Sequence, residues 1–172
     1  MANKETQRQQ QEETLVSLYE ESYAHVARYI FVRIRNQHEA EDLASETFVR
    51  ALQKLDGYED RGLPMKAWVF KIAHNLVVDY IRKVSKQPAV PLDDVVLSGG
   101  ADPEEMAEHE LQTEQLAHAL EHLTPAQREV IGLRFFAGLS SAETAELMGK
   151  KPGAVREMQR AAVSTLRTIM YR

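Results

Sequence analysis

The chain has 172 residues, 44% of them hydrophobic, no cysteine, and a formal net charge of −5. That length allows one domain or two small ones, with apolar material for modest cores. The absence of thiols excludes disulfides and thiolate metal sites; no apolar run reaches membrane-spanning length, and the polar start MANKETQRQQQEE lacks a signal-peptide core, so a cytoplasmic chain without membrane insertion is expected.

Residues 1–12 read as a polar tail expected to fray. From Glu13, apolar positions at Leu15, Leu18, Tyr19, Ser22, Tyr23, Val26, Tyr29, Ile30 and Ile34 describe a long amphipathic helix. Asn36 caps the next helix with Glu39 three residues on. Its buried stripe is Ala40, Leu43, Ala44, Thr47, Phe48, Ala51 and Leu55, and its outer face shows Glu41, Asp42, Ser45, Glu46 and Arg50. A turn-rich loop, Asp56 to Pro64, leads to a third helix whose inner face runs through Met65, Trp68, Val69, Ile72, Leu76, Tyr80 and Ile81. Lys71, Asn75, Val78, Asp79, Arg82 and Lys86 form a stripe on its other side. These three helices make a first domain over residues 13–86.

Residues 87–102, QPAVPLDDVVLSGGAD, combine prolines, glycines and acids without helical periodicity and read as a flexible acidic linker. Extended, it would reach roughly 50 Å at about 3.3 Å per residue. Asp102-Pro103-Glu104-Glu105 starts a helix that continues through Leu111, Leu116, Leu120 and Leu123. Thr124 with Gln127 caps another, which packs Val130, Ile131, Leu133 and Phe136 inward and closes at Gly138. The last two helices are a helix-turn-helix. Ser140 and Glu143 form a capping box, Ala142, Ala145 and Met148 face inward, Gly149 ends the first helix, and Pro152 opens the second. Val155, Met158, Ala162 and Leu166 lie on the inner side of the second helix; Arg156, Glu157, Arg160, Ser164 and Arg167 lie outside. The fold expected is all-α: two small helical domains joined by the linker, the second (103–172) a four-helix domain ending in the helix-turn-helix of DNA readers.

Charge is segregated along the chain. Lys66, Lys71, Arg82, Lys83 and Lys86 cluster in the third helix, and Lys150, Lys151, Arg156, Arg160, Arg167 and Arg172 at the C-terminus. Between them lie Asp93, Asp94, Asp102, Glu104, Glu105, Glu108 and Glu110. Two basic ends around an acidic middle bind DNA locally while the overall charge weakens indiscriminate attraction.

AEDLASETF (Ala40 to Phe48), AWVFKIAHNLVVDYIRK (Ala67 to Lys83) and LTPAQREVIGLRFFAGLSSAETAELMGKKPGAVREMQRAAVSTLR (Leu123 to Arg167), in that order, closely resemble the extracytoplasmic-function group of bacterial sigma factors. The resemblance implies a protein that docks on core RNA polymerase and directs promoter-specific initiation. Glu41, Asp42, Ser45 and Glu46 match the docking surface for the clamp helices of the largest polymerase subunit; the family commonly has glutamine where Ser45 stands. The loop holding Asp56, Tyr58 and Arg61 matches the pocket for a base flipped from the minus-ten element, with Lys71, Asn75, Arg82, Lys83 and Lys86 along the displaced strand. Trp68 reads as a core residue before a stacking one. Lys150, Lys151, Arg156, Glu157 and Arg160 match the reader of the minus-thirty-five element; an aliphatic residue is usual at the position of Thr144. The resemblance also implies an anti-sigma partner and no cofactor.

Two rivals stand beside this reading. His118-Ala119-Leu120-Glu121-His122 fits the HxxEH pattern of zinc proteases, but leucines already commit that helix to a core and no third ligand is evident. A free-standing helix-turn-helix regulator would bind DNA without polymerase and leave the acidic face of the second helix without a purpose.

Overall fold

The computed structural model describes residues 2–87 and 114–171, and every regular element among them is helical. The linker at 88–102 and the helix start expected at Asp102 lie outside the described residues. In chain order the elements are α1 (Ala2–Ile34), α2 (Gln37–Gln53), a 3₁₀ turn (Leu55–Gly57), α3 (Met65–Val84), α4 (described over 114–121), α5 (Pro125–Ile131), α6 (Ser141–Met148) and α7 (Pro152–Met170). A π turn, Gly132–Phe136, continues α5 without a break.

The caps fall where the side chains demand them. Asn36 accepts from the Glu39 amide, while Thr124–Gln127 and Ser140–Glu143 are complete capping boxes, each satisfying two amides that a helix start leaves bare. Gly149 ends α6 at φ 64°, a left-handed conformation that a β-carbon would strain. α1 begins at Ala2, so the stretch read as a fraying tail is the first third of the longest helix.

In the first domain the α2 stripe is buried as expected, from Ala40 to Leu55. α3 is buried on a wider arc than one stripe. Phe70, Ala73 and Val77 join Val69 and Leu76 in the core because α1 and α2 both pack on this helix, while Ile81 is 39% exposed. Fully burying a side chain such as Phe70 stabilises by about 1.5–3 kcal/mol.

In the helix-turn-helix the inward face of α6 is rotated from expectation: Ala142 is exposed, and Thr144 is fully buried beside Ala145. Alanine is apolar but small, so its position alone does not fix which side of a helix packs.

The two domains interlock. Leu133, Ala137 and Leu139 belong to the same apolar cluster as Tyr29, Phe70 and Val69, and Val32 of α1 packs with Leu120, Leu123, Ile131 and Ala162 of the second unit. A β-carbon at Gly132 would lie 2.7 Å from the Tyr29 ring, so the close approach of α1 to the π turn requires glycine there. Beyond the two helical domains expected from the sequence, the structure shows that their cores pack on each other.

The Thr144 hydroxyl is buried with no hydrogen-bond partner. An unmade bond of this kind costs free energy that an apolar isostere avoids. Thr144→Val is expected to stabilise by about 1 kcal/mol and to raise the midpoint of thermal unfolding by about 2–4 °C, followed by circular dichroism.

Candidate nucleic-acid interface

α2 presents Glu41, Asp42, Ser45 and Glu46 to solvent. Glu46 pairs with Arg50 at 2.6 Å and Glu41 accepts from Gln37 at 2.7 Å, while Asp42 carries an unpaired carboxylate among the described residues. The Tyr23 hydroxyl lies 3.3 Å from Ser45 Oγ and from the Glu41 carbonyl, tying α1 to this face. Sequence reasoning missed its apolar part. Val49 and Leu52 are 53% and 52% exposed, Val49 three residues on from Glu46 and Leu52 three residues beyond Val49. Their position off the buried stripe was the available signal.

The loop after α2 is anchored along its length. Leu55 is fully buried, and the Tyr58 ring packs on Trp68 with centroids 4.9 Å apart at 49°. The Tyr58 hydroxyl donates to the Leu63 carbonyl at 3.5 Å, and Asp60 accepts from the Gly62 amide at 3.1 Å. Burial first, then the Asp60 charge, pushes the Tyr58 hydroxyl above its ordinary pKa, so it stays a donor at neutral pH. Trp68 is half-buried and backs this loop, as its helical position suggested.

A third support comes from the stretch read as a tail. Arg8 reaches Asp56 at 2.5 Å and Glu12 at 2.8 Å, and the Gln11 side-chain amide donates to the Tyr58 carbonyl at 3.4 Å. Glu12 and then Asp56 hold the Arg8 guanidinium above its ordinary pKa. Nothing in the local sequence joins residues 48 positions apart; the four-residue spacing of Arg8 and Glu12 was the one local sign of helix here.

Beyond the loop, Lys71, Asn75, Arg82 and Lys83 are exposed on α3 and Lys86 in the turn that follows it, and Asp79 lies 3.5 Å from Arg82. In the second unit, Val155 and Ala162 bury one side of α7 while Arg156, Glu157 and Arg160 project from the other; Lys150 and Lys151 stand exposed at the turn. Glu157 is in no ion pair among the described residues, which leaves its carboxylate open to an external donor. Arg134 fixes the motif from behind: its Nε donates to Gln159 Oε1 at 2.9 Å and its Nη1 to the Leu139 carbonyl. The structure thus builds three exposed surfaces, one acidic on α2 and two basic on α3 and α7.

Residues 18–87 match the family Sigma-70 region 2, and residues 113–165 match Sigma-70, region 4. The chain is 38% identical over 138 residues to the ECF RNA polymerase sigma factor ShbA of Streptomyces griseus, covering 77% of this chain and 72% of that one. This chain belongs to the ECF sigma factors. It is also 37% identical over 155 residues to BldN of Streptomyces coelicolor, covering 89% of this chain but only 59% of that relative's length. Among solved structures, the sigma factor RpoE in complex with the anti-sigma factor NepR from Bartonella quintana shares the fold at TM-score 0.73 and 23% identity, over 92% of this chain and 98% of that one. CnrH in complex with the cytosolic domain of CnrY gives TM-score 0.65 and 25% identity, over 92% and 86% of the two chains.

The side chains of the HxxEH motif have other partners. Glu121 is paired with Arg35, His122 Nδ1 faces the His118 carbonyl at 3.1 Å, and no group of three or more metal-ligating side chains occurs among the described residues. No described helix is long and apolar enough to cross a membrane.

Arg8→Ala removes a strut from the loop without touching the core. Amide hydrogen exchange over Gly57 to Gly62 is expected to accelerate severalfold, while the amides of α2 and α3 exchange as before. Raising the salt concentration on the unaltered chain is expected to move exchange in the same direction.

Proposed function

We propose that this chain binds core RNA polymerase and directs promoter-specific initiation. On this reading α2 docks on the clamp helices of the largest subunit, the loop and α3 capture and open the minus-ten element, and α7 reads the minus-thirty-five element. The observation that carries it is the combination of one exposed acidic face with two exposed cationic faces, the first two lying within the residues matched to region 2 and the third within those matched to region 4.

Each surface suits its task physically. Asp42 and Glu41 offer negative charge to a basic coiled coil, which governs orientation and capture rate, and Val49 and Leu52 add apolar area at the centre of the contact. Opening DNA takes a base out of its stack at a cost of a few kcal/mol, and a loop already held in place spends less ordering itself to receive that base. Lys71, Asn75, Arg82 and Lys83 lie along α3, with Lys86 just past its end, where a displaced strand needs cations. Arg156 and Arg160 supply guanine or phosphate contacts in the major groove, and Lys150 and Lys151 hold the backbone. The chemistry of RNA synthesis belongs to the polymerase, and the chain acts in the cytoplasm. RpoE was solved with the anti-sigma factor NepR and CnrH with the cytosolic domain of CnrY, and on this reading the chain also has an anti-sigma partner.

Transcription with core polymerase on a promoter library tests the reading, with abortive RNA expected only when the chain is added. Asp42→Lys is expected to weaken core binding about tenfold, while the minus-thirty-five preference of polymerase loaded with excess variant stays the same. Tight operator binding by the chain alone, with no effect on polymerase, would support a free-standing regulator instead.

A further inference from the structure

The loop that follows α2 carries three acids, Asp56, Glu59 and Asp60, against one cation, Arg61. Each acid is engaged. Arg61 Nε donates to Glu59 at 2.7 Å, and Asp60 accepts from the Gly62 amide, so both are answered within the loop. Asp56 is answered from outside it, by Arg8 near the start of α1. Gln11, three residues on, donates to the Tyr58 carbonyl, and Leu15, four further, belongs to the same apolar cluster as Leu55 and Tyr58. Positions 8, 11 and 15 share one helix face, so a single stripe of α1 lies along the loop. The match to Sigma-70 region 2 begins at residue 18, and this stripe precedes it.

We infer that Arg8 and Gln11 are positioning residues for base capture: through Asp56 and Tyr58 they set how fast a promoter opens and how strictly the captured base is chosen. The inference rests on the sigma-factor reading, which gives the loop its task. Tyr58 shows what α1 adds. Its amide donates to the Leu55 carbonyl at 3.0 Å, its ring packs on Trp68, and its hydroxyl donates to the Leu63 carbonyl. Its own carbonyl is held, among the described residues, by Gln11 alone.

Asp56 is tied to Arg8 through Oδ1, while Oδ2 makes no hydrogen bond among the described residues and the side chain is 68% exposed. A carboxylate oriented by one oxygen presents the other as an acceptor for the exocyclic amino group of a flipped base. Without Arg8 that carboxylate turns freely, and its bare charge adds to the repulsion between an acidic loop and DNA phosphates. An exposed ion pair contributes little to the stability of the fold. Its contribution is geometric, because a loop ordered beforehand loses less freedom when the base arrives.

Lag times of abortive synthesis, taken over a range of concentrations of polymerase loaded with the full chain, separate promoter binding from promoter opening. Arg8→Ala is expected to leave initial binding unchanged and to slow opening about two- to fivefold. Arg8→Lys keeps the charge and is expected to restore most of the rate. Gln9→Ala removes the contact of Gln9 with Glu13 on another face of the same helix and is expected to change nothing. At the promoter position whose base preference weakens in Asp56→Asn, Arg8→Ala is expected to weaken it too, and to add nothing in the double variant. Equal effects of Arg8→Ala with and without the Asp56 charge, or a loss confined to initial binding, would place Arg8 on the DNA itself and overturn the positioning role. Unchanged opening and preference in Arg8→Ala, or an Asp56→Asn variant that shifts no preference, would overturn it as well. Should no form act on polymerase, the sigma-factor reading fails. Amide exchange of the loop in the free chain, expected to quicken in Gln11→Ala as in Arg8→Ala and not in Arg8→Lys, then decides whether α1 holds the loop.

Discussion

Burying the carboxylate of Glu129 between two helical units obliges the surrounding chain to supply polar partners there, and the arrangement of the molecule follows from that obligation. Arg33 comes from the end of α1 and His74 from the middle of α3, so both helices must present those faces toward α5. An isolated carboxylate in apolar surroundings costs several kcal/mol, so the seam closes with its partners in place or not at all. Gly132 then lets the π turn approach the Tyr29 ring, and Leu133, Ala137 and Leu139 complete the apolar part of the same contact.

The surfaces proposed for recognition lie outside that seam. The acids of α2, the cations of α3 and the arginines of α7 all stay exposed in the packed arrangement. Joining the domains therefore buries none of the surfaces proposed for recognition.

Much of this was legible from residue spacing. The three caps, the α2 stripe and the outer face of α7 stand where Asn36, Thr124, Ser140 and the helical period put them, because each depends on neighbours within four residues. The misreadings have a common cause. Ala142 and Thr144 exchange roles in α6 because neither size nor polarity of such small side chains decides a packing direction. Phe70 and Val77 are buried because α3 meets two partners, and the Arg8–Asp56 and Arg33–Glu129 pairs join positions far apart in the chain. A local pattern shows that Arg33 and Glu129 are charged; only the tertiary arrangement shows that they are buried together.

α1 takes part in both distant arrangements. Near its start Arg8 and Gln11 grip the loop after α2, and near its end Arg33 enters the domain seam. A helix turns through about 100° per residue, so inserting or deleting one residue between these ends would swing one set of side chains a quarter-turn past its target. The number of residues separating Gln11 from Arg33 is thus a phase relation, and it couples how the loop after α2 is held to how the domains meet.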